Sequence, residues 1–159
     1  MSGAAIRELV SRSRARGLRV TPQRLAVYRV LAESHDHPDP DTLHRRLMPA
    51  HPTLSPATVY KTLDALAALG LVRRVPMGGG TGRYDANLQR HHHLVCAHCQ
   101  GVTDVYDPHL DRLAPPDGRQ GFRVREVSVQ WVGICASCAK KNKSRSGQSG
   151  SLVKTANRR

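Results

Sequence analysis

Through the first seventy residues the apolar positions recur at helical spacing. Ile6, Leu9 and Val10 share one stripe in residues 4–16, with Arg7, Arg12, Arg14 and Arg16 around it. Three more helices are predicted, and all begin alike. Thr21-Pro22, Asp39-Pro40 and Ser55-Pro56 each set a capping oxygen before a proline, whose missing N–H is harmless at the first helical position. Behind these starts run Leu25, Tyr28 and Leu31, then Leu43 and Leu47, then Val59, Leu63, Leu66 and Leu69. Gly70 suits the left-handed position that closes the last helix. The period then changes. Leu71 to Val75, a Gly78-Gly79-Gly80 turn and Arg83-Tyr84-Asp85 predict a two-stranded wing.

Three short capped helices and a wing outline a winged helix-turn-helix, with residues 55–69 as the recognition helix. Opposite its apolar stripe lie Ser55, Ala57, Thr58, Tyr60 and Lys61, offering a hydroxyl, a methyl, a phenol and a cation near the N-terminus. Arg16 and Arg19 stand ahead of it as phosphate contacts. A helical bundle with a solvated polar face would show the same pattern, so charge decides. Residues 1–83 carry 13 Lys/Arg against 6 Asp/Glu, residues 84–139 carry 5 against 6, and residues 140–159 carry 7 against none. A front half this basic suits a polyanion, and double-stranded DNA is the expected partner. The last twenty residues, polar and without an acid, read as a disordered basic tail that attracts phosphate unspecifically.

Aromatics are only 4% of the chain, so neither half can bury a large core, and a structural metal would add stability that burial lacks. The four cysteines form two CxxC pairs, Cys96/Cys99 and Cys135/Cys138, the spacing of a closed four-thiolate zinc site. With no signal-peptide run and no apolar stretch of bilayer length, that pattern fits zinc in a reducing cytosol. Between wing and knuckle stand His91, His92 and His93, where imidazoles beside carboxylates favour iron or manganese. Alternation puts His91 and His93 on one face of a strand and His92 on the other, and turns Asp104 away from Thr103 and Val105. His98 has no need to ligate once four thiolates do, and His109 is expected at the surface. Val127, Val129 and Trp131 form a period-two run, read as a core or dimer strand within 122–134. A zinc enzyme would need an open coordination position and a nearby glutamate. Glu126 is the only glutamate after residue 83, which argues against an enzyme.

Leu54-Ser55-Pro56-Ala57-Thr58-Val59-Tyr60-Lys61-Thr62-Leu63, Gly70-Leu71-Val72 and His91 through Cys99 together resemble the ferric uptake regulator family over residues 5–140. The resemblance implies a cytoplasmic homodimeric repressor of α+β fold. It implies a winged-helix DNA-binding domain over 1–84 and a metal-binding α/β dimerisation domain over 85–139, which leaves the basic tail read from composition as 140–159. It also implies a zinc on the four cysteines and a second, regulatory metal at a hinge. Matched to the peroxide-responsive repressor branch, the regulatory ligands fall on His37, Asp85, His91, His93 and Asp104. Taken alone, His37 is a loop histidine of the kind that is usually solvated, with His35 as the fallback. The iron-uptake branch usually has glutamates where Asp85 and Asp104 stand, and the zinc-uptake branch a cysteine in place of Asp85. A further site of several relatives falls on Arg90, His92, Asp111 and about Val127, and is expected to be lost. The branch implies Fe(II) or Mn(II) as regulatory ion, an operator with inverted-repeat half-sites, and release when peroxide oxidises His37 or His91 in the iron form. The alternative is an iron- or manganese-uptake regulator indifferent to peroxide.

Overall fold

The computed structural model describes residues 3–77, 81–114, 124 and 127–146. They form two compact units, Met1–Arg90 and His91–Arg159. The first contains helices α1 (Gly3–Ala15), α2 (Pro22–Ala32), α3 (Pro40–Leu47) and α4 (Pro56–Ala68), then strands β1 (Arg73–Val75) and β2 (Arg83–Asp85).

All three proline-led starts are capped as expected. Thr21, Asp39 and Ser55 hold extended backbone, and their side-chain oxygens accept from the N–H groups of Arg24, Thr42 and Thr58. At the far end of α4, Gly70 has φ +67. The Gly70 N–H donates to the Ala67 carbonyl and the Leu71 N–H to that of Leu66, the paired bonds of a Schellman close. Arg12 from α1 donates to the carbonyls of Leu69 and Gly70, a cation on the negative end of α4.

Leu9, Val27, Leu31, Leu43, Leu47, Leu54, Val59, Leu63, Leu66 and Leu71 make the core of this unit, each almost wholly enclosed. One position departs from expectation. Leu25 only packs against the margin, and Val27 takes the enclosed place beside Tyr28 and Leu31, because the buried face of α2 is rotated slightly from the stripe. The wing is antiparallel, with Arg73 opposite Asp85 and Val75 opposite Arg83. The glycine run 78–80 lies outside the described residues.

The second unit contains β3 (His92–Cys96), β4 (Val102–Val105), a 3-10 turn (Leu110–Arg112), β5 (Gln130–Gly133) and α5 (Ala136–Ser146). Its sheet runs β4-β3-β5, with β3 antiparallel to β4 and parallel to β5. Of the strand expected over 122–134, only 130–133 is strand among the described residues, and Val127 and Val129 lie ahead of it; residues 121–123 and 125–126 lie outside the described ones. Trp131 is 39% exposed and Val132 68%, so this edge of the sheet is open in the single chain. The disordered tail expected from Lys140 instead begins as helix, since α5 continues to Ser146. Ala136, Ala139, Lys140 and Lys141 are good helix formers on a fixed first turn, which is enough to carry it forward. Residues 147–159 lie outside the described ones.

Candidate metal centres

Strand β3 delivers Cys96 to the end of the sheet, and a tight turn returns Cys99 to it. The Gln100 N–H donates to the Cys96 carbonyl at 2.8 Å, with Gln100 itself left-handed at φ +59. Alongside, β5 ends at Gly133, whose carbonyl accepts from the Ala97 N–H. Cys135 follows at once and Cys138 sits in the first turn of α5. The four sulfur atoms lie within 4.8 Å of one another. Cys99 and Cys135 are 3.8 Å apart, far beyond the roughly 2.05 Å of a disulfide. It matches the roughly 3.8 Å edge of a tetrahedron with metal–sulfur bonds of about 2.3 Å. Backbone N–H groups of Cys135, Cys99 and His98 pull the Cys96 thiol down to about 6. Cys138 goes the other way, to about 12, because its proton is donated to Cys135 and burial opposes a further charge. The donor set fits zinc: one sulfur is already prepared as thiolate, and a dication would draw off the remaining protons.

On the other face of β3 a different donor set gathers. His93 and Asp104 are directly opposed across β3 and β4. His91 Nε2 and His93 Nε2 face each other at 3.0 Å, their rings near perpendicular. Asp104 Oδ1 stands 3.6 Å from the first nitrogen and 3.9 Å from the second. Both imidazoles are buried. Tyr106, which sequence reasoning did not single out, donates from its hydroxyl to Asp104 Oδ2 at 3.2 Å and brings its ring to 5.7 Å from that of His91.

His92 points to the opposite face, fully enclosed. Its Nδ1 accepts from the Val129 N–H at 3.1 Å, and its Nε2 faces Asp111 Oδ1 at 3.3 Å. Of the further site expected to be lost, Arg90 is exposed and Val127 half-buried, and His92 and Asp111 are the two that face each other.

Within the first unit His37 and Asp85 are both buried, with His37 Nε2 3.7 Å from Asp85 Oδ2. His37 has φ +48, uncommon for a residue with a β-carbon. The loop is tied to the wing from both sides: Arg83 donates to the His37 carbonyl at 2.9 Å and the Tyr84 N–H to that of Pro38. Asp85 Oδ1 accepts from the Asn87 N–H, which fixes the carboxylate plane. His35, the fallback, is exposed, as are His98 and His109. Arg83 escaped the sequence because nothing in its neighbourhood points 46 residues back.

On α4, Ala57, Tyr60 and Lys61 are exposed, Thr58 is half-buried, and Ser55 is exposed with its hydroxyl engaged in the cap. Arg16 and Arg19 are exposed ahead of α2.

A winged helix followed by a small sheet with four converging thiols is the build of a metal-responsive transcriptional regulator, not of an enzyme. The chain belongs to the Ferric uptake regulator family, whose pattern matches residues 15–132. The peroxide-responsive repressor PerR of Staphylococcus epidermidis is 32% identical over 134 residues, covering 84% of this chain and 89% of its own. Among solved structures, a zinc-bound manganese uptake regulator is 29% identical, covering 80% of this chain and 98% of that one with a TM-score of 0.62. A Campylobacter jejuni peroxide stress regulator is also 29% identical, covering 87% of this chain and 100% of that one with a TM-score of 0.58. Among the described residues, no helix is long and apolar enough to cross a membrane.

Proposed function

We propose that the chain is a cytoplasmic, homodimeric repressor that binds an inverted-repeat operator in duplex DNA when metal-loaded and releases it in response to hydrogen peroxide. Cys96, Cys99, Cys135 and Cys138 hold a structural zinc. His37, Asp85, His91, His93 and Asp104 hold one regulatory iron(II) or manganese(II). The observation that carries this reading is the pair of facing ring nitrogens, His91 Nε2 and His93 Nε2, with a carboxylate oxygen beside both. Two buried imidazole nitrogens at that distance share either a proton or a cation. The nitrogen–oxygen donor set without thiolate favours iron or manganese.

His37 would join this set from the winged-helix unit. Because Arg83 and Tyr84 bind its loop to the wing, fixing the imidazole fixes the recognition helix with it. Closure of both protomers sets two copies of α4 at the spacing of successive major-groove half-sites, with Ser55, Ala57, Thr58, Tyr60 and Lys61 toward base edges and Arg16 and Arg19 toward phosphate. Iron(II) held by these residues would supply the redox activation of peroxide, with no net loss of its own electrons. An imidazole C–H of His37 or His91 would become C–OH with one peroxide oxygen, its two electrons reducing the other oxygen to water, and the weakened ligand would free the winged helix.

Metal analysis combined with DNA binding, with and without peroxide, tests this. The iron form should gain one oxygen at His37 or His91 and release DNA, while the manganese form keeps both its mass and its DNA. An unmodified iron form that stays bound after peroxide rejects the sensing step. That result would favour the second reading, an iron- or manganese-uptake regulator indifferent to peroxide, which the likeness to a manganese uptake regulator supports.

A further inference from the structure

Helix α3 makes two polar links to α4 that apolar packing alone does not require. His44 Nε2 lies 2.7 Å from the Leu54 carbonyl oxygen, in a half-buried setting. A carbonyl can only accept, so this nitrogen carries the proton and donates. Leu54 is enclosed and stands directly before Ser55, the residue whose side chain caps α4. One helical turn earlier on the same face of α3, Asp41 Oδ1 accepts from the Tyr60 hydroxyl at 3.3 Å. The two links thus grip α4 just before its first residue and again in its second turn. The interdigitated leucine and valine contacts between the helices hold them together and limit their rotation. Two directional bonds at different heights add to that restraint where the helix begins.

We infer that His44 and Asp41 are positioning residues for operator reading: they fix the start and the roll of the recognition helix, so that Tyr60 and Lys61 meet base edges in one register. The inference rests on the proposal that α4 reads DNA. It predicts an effect on discrimination rather than on general affinity, because phosphate contacts tolerate a small rotation and base-edge contacts do not.

The test uses full-length, manganese(II)-loaded protein and two duplexes of equal length, one selected by the wild type from a randomised pool and one unselected. His44→Ala should weaken binding to the selected duplex about tenfold, the scale of one lost hydrogen bond passed on to the interface, while changing the unselected duplex by no more than about twofold. His44→Gln, whose amide N–H can reach the same carbonyl, should restore most of the preference. Asp41→Ala should lower the preference several-fold and Asp41→Asn, which keeps an acceptor for Tyr60, should not. Asp41 is exposed, so this second pair serves if His44→Ala fails to fold. Equal losses on both duplexes, an unchanged preference in the alanine variants, or no rescue by a folded His44→Gln would each overturn the inference while wild-type selection stands. Failure of the wild type to select any duplex would overturn the DNA reading and this inference with it.

Discussion

His37 occupies the left-handed region immediately before Pro38, a conformation that costs a residue with a β-carbon roughly 1–2 kcal/mol. Arg83 on its carbonyl offsets part of that and aims the imidazole inward. Asparagine tolerates the same backbone, so His37→Asn should keep the fold, with a melting temperature within a few degrees of wild type by calorimetry. On the proposed ligand set it should bind manganese(II) at least about tenfold more weakly in competition titrations. Gly70 gives the opposite test, of conformation without chemistry. Gly70→Ala should destabilise the winged helix by about 1 kcal/mol in urea denaturation, since φ +67 is kept at a β-carbon's expense. At this scale the sequence was transparent wherever a residue acts on its own neighbours. Thr21, Asp39, Ser55 and Gly70 could be read because a cap and its helix lie within a few positions. Arg83 could not, because its partner His37 lies 46 positions back and is reached only through the fold.

Among the elements, α5 has the most unusual position. Its first turn holds Cys138 and its start follows Cys135, so the helix begins at the four-thiol cluster. The sequence disclosed the knuckle but not the helix, because a run of lysine, asparagine and serine has no apolar face. Its order comes from the anchored first turn rather than from burial. Truncation after Ala139 should therefore weaken binding to every duplex alike. The slope of log affinity against log salt should flatten by up to about 0.9 for each phosphate contact removed. A shift in operator preference on truncation would contradict this. The strands were legible as alternation, yet the short extent of β5 and its parallel partnership with β3 were not, since parallel register is set by residues thirty or more positions apart.

For the molecule as a whole, the uneven charge is the property that salt reveals. The basic winged helix is followed in the chain by a stretch with slightly more acids than bases up to residue 139, so duplex binding should weaken steeply with ionic strength. Manganese(II) affinity at the buried imidazoles should change little over the same range. Equilibrium titrations of both ligands across one salt series would separate the two. Order and spacing of motifs made the family recognisable from the chain alone. What the chain could not display is how completely side chains distant in sequence converge, as His93 and Asp104 do across one ladder step.

That ladder has a consequence in time. The five-residue strand that presents His93 ends in Cys96, so with a bare thiol cluster that end is held by its backbone bonds to Gly101 and Gly133 without the added clamp of a metal. A newly made chain would then have to acquire zinc first and become competent for iron or manganese only afterwards. Cys99→Ser, which changes none of the proposed regulatory ligands, should blunt manganese uptake together with its loss of zinc. In a zinc-starved cell such a regulator would fall silent toward oxidants before a single histidine had been touched.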